Sequence, residues 1–209
     1  MKYLFILFLI FANNFYGQNV RATESLWDLI RSNSNLKYDS ERIEIIKASD
    51  KYNSNQYLIN RLSKNGQRYL YYTVKEGLRK NLPVELSLIP FVESQFDPYA
   101  RSATGASGIW QFIPSTAREN GLKKNWWYDG RRDIVASTEA AYGFLSKLYE
   151  RYGDWLIAIA AYNAGPSRIK KEIEKNKKNG LPTDFWSLNL PRETKAYVPK
   201  ILAIVELIR

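Results

Sequence analysis

Leu86-Ser87-Leu88-Ile89-Pro90-Phe91-Val92-Glu93-Ser94-Gln95-Phe96-Asp97-Pro98 sets Glu93 among apolar and aromatic neighbours. Pro83 suits the first turn of a helix entering this stretch, and the pattern predicts one helix that Pro90 kinks and Asp97-Pro98 ends. Leu86, Ile89 and Glu93 lie three and four residues apart and share one face of that helix. Glu93 therefore points with the core leucines, in the last turn, where the helix dipole is negative. Burial and dipole both favour the protonated carboxyl, and a carboxyl still protonated near neutral pH can donate a proton. The local pattern also fits a buried acid satisfied by a tyrosine or a backbone amide.

Outward from this stretch the chain reads as helices. Leu26, Leu29 and Ile30 form one short stripe, Ile43, Ile46 and Tyr52 a second, and Leu58 and Leu62 a third, with a break at Asn65-Gly66. A helix opens near Tyr69 and runs to about Lys80. Arg101 to Gly108 reads as a loop whose glycines permit close backbone approach. Asn125 to Gly130 is an aromatic loop, in which Trp126-Trp127 is expected to pack into the core. Asp133 caps a long helix that Gly153 stops, and Trp155 to Asn163 is a short apolar helix closed by Gly165-Pro166. Arg168 to Lys178 is a basic solvated helix, and Glu193 to Arg209 closes the chain. No alternating strand pattern of any length and no internal repeat is present, so the chain is expected to be all-α.

Composition narrows the chemistry. With 209 residues and 45% hydrophobic content, the chain can build one principal domain with a sizeable core. It has no cysteine and no histidine, which excludes disulfide scaffolds, cysteine nucleophiles, Ser-His-Asp and Cys-His catalysis, and most zinc sites. Acid-base work falls to Asp, Glu, Tyr or Lys, and glycoside cleavage is the leading use of carboxylate chemistry. The net charge of +10 fits plain solubility as well as an anionic partner. No recognisable nucleic-acid module accompanies it, so no nucleic-acid partner is expected. Met1-Lys2, the apolar run Tyr3 to Ala12 and the polar residues after it read as an export signal over 1–17, too short for a membrane span of ~20 residues.

Four motifs stand in order: Glu93-Ser94-Gln95-Phe96; Gly105-Ala106-Ser107-Gly108-Ile109-Trp110-Gln111-Phe112-Ile113-Pro114; Ala161-Tyr162-Asn163-Ala164-Gly165; and Glu193-Thr194-Lys195-Ala196-Tyr197-Val198. Together they resemble the lytic transglycosylases, relatives of goose-type lysozyme that cut bacterial peptidoglycan, and within them the membrane-bound lytic murein transglycosylase D group. The likeness extends through Tyr128-Asp129-Gly130-Arg131-Arg132-Asp133 and Thr183-Asp184-Phe185-Trp186-Ser187-Leu188 and covers roughly residues 66 to 209. It implies a lysozyme-like, goose-type catalytic domain over 66–209, preceded by a short helical segment over 18–65. It also implies cleavage of the MurNAc–GlcNAc β-1,4 bond with a 1,6-anhydro product, Glu93 serving as acid and then base.

By the same resemblance, Ser107 and Gln111 line the cleft beside the acid, Tyr162 and Asn163 contact sugar near the cut bond, and Glu193 and Tyr197 close the far wall. No metal or cofactor is implied. The expected partner is the peptidoglycan glycan strand, met by a monomer in the periplasm or cell envelope, with a loose association to an anionic envelope surface left open. A lysozyme or chitinase-type hydrolase on the same fold needs a group to position water, for which Asp97 is the first candidate. Family members often carry carbohydrate-binding repeats or a lipid anchor. This sequence ends at Arg209 and has no cysteine, so a freely soluble exported enzyme is expected.

Overall fold

The computed structural model describes residues 25–209. The expected export signal lies outside the described residues, as does the start of the segment over 18–65. The described helices are α1 (Leu26–Asn33), α2 (Ile43–Asn53), α3 (Gln56–Arg79), α4 (Ile89–Ser94), α5 (Pro114–Glu119), α6 (Ile134–Tyr152), α7 (Trp155–Ala164), α8 (Pro166–Lys178) and α9 (Arg192–Ile208). Short 3-10 turns at Val84–Leu88 and Phe185–Ser187 join them. Among the described residues no strand forms; isolated bridges pair Arg101 with Ser107, Ser107 with Phe112, and Lys124 with Asp129.

The apolar α7 is the centre of the molecule. Leu156 through Ala161 are all buried, and Asp154 caps the helix by accepting from the backbone N–H groups of Leu156 (2.7 Å) and Ile157 (3.1 Å). Helices α6 and α9 pack against it, and α3 packs against α6. Trp110, fully buried, donates its ring N–H to Thr138 of α6 at 2.9 Å and meets Tyr142 edge-on at 5.3 Å. Tyr142 in turn donates to the carbonyl of Thr73 in α3 at 2.6 Å. The loop that carries the glycine-rich motif is thereby fixed to two long helices. The caps expected at Asp133 and Gly153 form as the sequence suggests, Gly153 at φ 68.

Four local expectations are corrected. First, α3 runs unbroken through Asn65-Gly66 instead of starting near Tyr69. Leu62, Leu70 and Val74 bury one face of it, and a Cβ at Gly66 would meet Trp27 of α1 at 3.8 Å. That packing offsets the ~1 kcal/mol that glycine costs in a helix. Second, α2 turns Ile45 inward and leaves Ile43 and Ile46 exposed, while Tyr52, the third residue of the expected stripe, packs against the core. Third, the stretch from Pro83 is not one kinked helix but a 3-10 turn followed by α4. Pro90 sits at the start of α4, where its missing N–H breaks no bond. Fourth, α4 ends at Ser94 and not at Asp97-Pro98, because Gln95 (φ 54) and Phe96 (φ 59) both turn left-handed.

The segment before α3 is tied down at three points. Arg31 donates to the carbonyl of Ile208 (2.8 Å), and Tyr38 donates to Glu206 (2.6 Å). The fully buried Glu85 accepts from the backbone N–H groups of Asn35 (2.8 Å) and Leu36 (2.9 Å) with one carboxylate oxygen. Helix α2 lies along α9. These contacts place α2 beside the stretch that bears Glu93.

Candidate active site

Glu93 occupies the last turn of α4, half-buried, at the junction of two cavities. One, of about 360 Å³, includes Gln111, Phe112, Phe144, Tyr162, Asn163 and Glu193 in its lining. The other, of about 730 Å³, runs between α2 and α9. The adjoining Ser94 donates its hydroxyl to the carbonyls of Pro90 (3.1 Å) and Ile109 (3.0 Å), tying α4 to the glycine-rich loop.

Burial pushes the Glu93 carboxyl up to about 7, with the negative charge of Glu193 adding to the rise. A hydrogen bond from the Tyr197 hydroxyl to Oε1, at 2.5 Å, and the charge of Lys200 pull the other way. Burial and the neighbouring Glu93 hold the Tyr197 phenol well above its ordinary range, so Tyr197 is a hydrogen-bond donor at any working pH. A carboxyl balanced near 7 can both give and take a proton in neutral solution.

The other candidate residues divide. Gln111 takes a left-handed backbone (φ 49) and donates its amide to the carbonyls of Gly108 (2.7 Å) and Ala100 (3.3 Å). Left-handed non-glycine residues on both sides of the cleft, Gln95 and Phe96 on one and Gln111 on the other, mark a backbone shaped at some energetic cost. Tyr162 donates to the carbonyl of Trp110 at 2.7 Å, presenting its ring to the cavity wall. Asn163 accepts from the hydroxyl of Thr194 at 2.8 Å, which leaves its amide N–H₂ as the group available to a ligand. Glu193 is exposed at the rim.

Ser107 does not line the cavity. It is fully buried, its backbone bridges Arg101 and Phe112, and its hydroxyl accepts from Arg132 at 3.3 Å. Tyr197 is buried too and reaches Glu93 from behind rather than forming an open wall. Asp97 lines neither cavity; its carboxylate accepts from the backbone N–H of Tyr99 at 2.9 Å. Trp126 and Trp127 are 86% and 89% exposed, against the expectation of core packing. Asn125 accepts from the N–H groups of Trp127 (2.9 Å) and Tyr128 (2.8 Å), closing a tight turn before either ring can reach the core.

Several supporting groups lay unread in the motifs. Arg131, buried and paired with Asp129 at 2.6 Å, donates to the carbonyls of Gly105 (2.7 Å) and Phe112 (3.2 Å), holding both ends of the glycine-rich loop. Thr194, buried, orients Asn163 and sits inside the fourth motif; a hydroxyl between two charged residues was the available signal.

These features match a known family. The transglycosylase SLT domain family covers residues 71–183. The chain belongs to that family. It is 42% identical over 194 residues to membrane-bound lytic murein transglycosylase D of Escherichia coli, a match taking in 92% of this chain and 43% of that protein. The chain thus spans less than half the length of that relative. Its fold is that of an inactive mutant of lytic transglycosylase Slt from Pseudomonas aeruginosa, with a TM-score of 0.54 and 23% identity over 96% of this chain and 34% of that one. The 70 kDa soluble lytic transglycosylase of Escherichia coli superposes comparably, with a TM-score of 0.53 and 22% identity over 88% of this chain and 32% of its own.

Activity that needs the Glu93 proton falls as pH rises through about 7. Glu193→Gln removes a charge that raises the Glu93 carboxyl, so the alkaline limb moves to lower pH, by on the order of a few tenths of a unit at an exposed position. The kcat/KM profile of the two proteins measures this; a limb that stays put or moves upward contradicts the assignment.

Proposed function

We propose that the protein is a peptidoglycan lytic transglycosylase that cleaves the MurNAc–GlcNAc β-1,4 bond without consuming water. The observation that carries this reading is a single carboxyl, raised to about 7, at the meeting point of the two cavities and held by Tyr197. Glu93 donates its proton to the glycosidic oxygen as the bond from the MurNAc anomeric carbon breaks, leaving an oxocarbenium-like centre. The C6 hydroxyl of the same sugar then bonds to that carbon and passes its proton to the Glu93 carboxylate. The glycosidic bond to GlcNAc, which leaves with the proton, is exchanged for an internal C1–O6 acetal bond, and the acid is restored. Tyr197 keeps its hydrogen bond through both steps and steadies the carboxylate between them. The amides of Gln111 and Asn163 and the ring of Tyr162 suit the N-acetyl groups and faces of the sugars. The family membership and the likeness to transglycosylase D support the same chemistry.

One rival reading has an observation of its own. Glu193, not Asp97, is the second acid in the lining of the Glu93 cavity, and a hydrolase would use it to position water. Its exposure and its place at the rim favour the first reading. On this reading the protein works in the cell envelope, with the segment over 1–17 directing export, and acts as a monomer. Digestion of purified sacculi tests the reading: soluble muropeptides with anhydro ends are expected, and undigested sacculi would overturn it.

A further inference from the structure

The two cavities that meet at Glu93 differ in charge. Among the described residues, no lysine or arginine lines the smaller one. The larger one carries Lys47 and Lys51 from α2 and Arg192, Lys195 and Lys200 from α9, against a single additional acid, Glu44. Glu44 already faces Arg42 at 3.6 Å. None of the five cations has an ion pair or side-chain hydrogen bond among the described residues. Lys47 and Lys51 lie one turn apart on α2, where like charges repel. A bound anion would relieve their repulsion, and among the described residues neither has an ion-pair partner. Beneath them the floor is apolar, formed by Tyr52, Leu58, Phe91 and Pro199, with Tyr52 and Phe91 6.2 Å apart.

We infer that this basic half of the cleft binds the carboxylates of the peptide side chains carried by the glycan, so that the site takes peptide-bearing strands in preference to bare glycan. The inference rests on the proposed peptidoglycan substrate. The neutral half offers amides and aromatic rings to sugar; the basic half offers cations above an apolar floor, which suits short peptides ending in carboxylates. Glu93 lines both halves, so a peptide attached to a sugar near the cut bond is in reach of the lysines while the bond sits at the acid. A phosphate-bearing wall polymer would satisfy the charge but leaves the apolar floor unused.

The test measures binding, using the full chain with Glu93→Gln so that strands stay intact. Three ligands are compared: peptide-bearing strands, strands stripped of peptide by an amidase whose exposed lactyl carboxylates are then amidated, and strands whose peptide carboxylates have been amidated. Peptide-bearing strands are expected to bind about tenfold more tightly than either other form, as a few exposed ion pairs would give. Adding Lys47→Gln, Lys51→Gln and Lys195→Gln together brings all three ligands to the same affinity. These lysines are exposed, so the melting curve of the combined variant should match its parent. Equal binding of peptide-bearing and stripped strands would overturn the inference, as would binding that survives amidation or that a phosphate polymer abolishes at equal charge. Absence of cleavage by the unsubstituted protein would strike the proposed activity, while this binding comparison decides the inference separately.

Discussion

Glu93→Gln leaves the protein folded and lowers strand cleavage by about a thousandfold or more, since general acid and general base are lost together. The glutamine keeps the shape of the side chain, and its amide oxygen still accepts from Tyr197. What it lacks is a transferable proton. A second readout separates this from simple damage. Glu93 is raised from the ordinary 4.5 to about 7 in the folded protein. Between those values the folded state holds a proton that the unfolded chain releases, so the contribution of Glu93 to stability falls as pH rises, and is lost through about 7. The variant carries no such penalty. Its melting temperature should exceed that of the unsubstituted protein at pH values above 7 and converge with it toward acid pH. Full activity in the variant would remove Glu93 from the mechanism; a lower melting temperature in alkali would contradict the burial of its charge.

Gly108→Ala is expected to destabilise the protein by roughly 3–5 kcal/mol, near the upper end for a point substitution. Gly108 adopts φ +82, and a Cβ there would sit 1.7 Å from the carbonyl oxygen of Arg131. The backbone cannot simply yield. Gly108 donates to Ala100 (3.1 Å) and accepts from the backbone and side chain of Gln111 (3.2 and 2.7 Å), while Arg131 is clamped by Asp129, Gly105 and Phe112. Gly105→Ala is the control. Its φ is +80, but nothing lies within 4 Å of the added carbon, so only the left-handed strain of about 1–2 kcal/mol remains. Chemical denaturation of the two variants gives the comparison. Equal losses would mean that the close approach to Arg131 is not what the loop depends on.

The sequence disclosed the helices and the acid but not how the acid is buried. Periodicity placed α6, α7 and α9 because each buries an apolar face, or in α7 nearly the whole helix, and caps such as Asp133 and Asp154 are local. It failed where local and tertiary preferences disagree. Gly66 reads as a break, yet the helix face that buries Leu62, Leu70 and Val74 carries through it. Pro90 reads as a kink, yet the chain changes helix type just before it. Glu93 faces inward all the same, because α4 is fixed from both sides by Ser94 and by Tyr197. Ser107 and Gln111 are four residues apart in one motif, and no local rule says that the first faces Arg132 while the second lines the cleft. The basic half of the cleft was unreadable for another reason: its lysines come from helices about 150 residues apart in the chain, brought together only by the packing of α2 along α9.

In the proposed reaction Glu93 passes its proton out and back while the substrate supplies its own nucleophile. The most direct measurement is digestion of sacculi in heavy-oxygen water followed by mass spectrometry of the products. Muropeptides lighter by one water than the reducing-end form are expected, with no heavy oxygen at the newly formed MurNAc ends. Ordinary reducing ends carrying the heavy isotope would contradict it and assign the protein to the hydrolases, with Glu193 as the acid to test next.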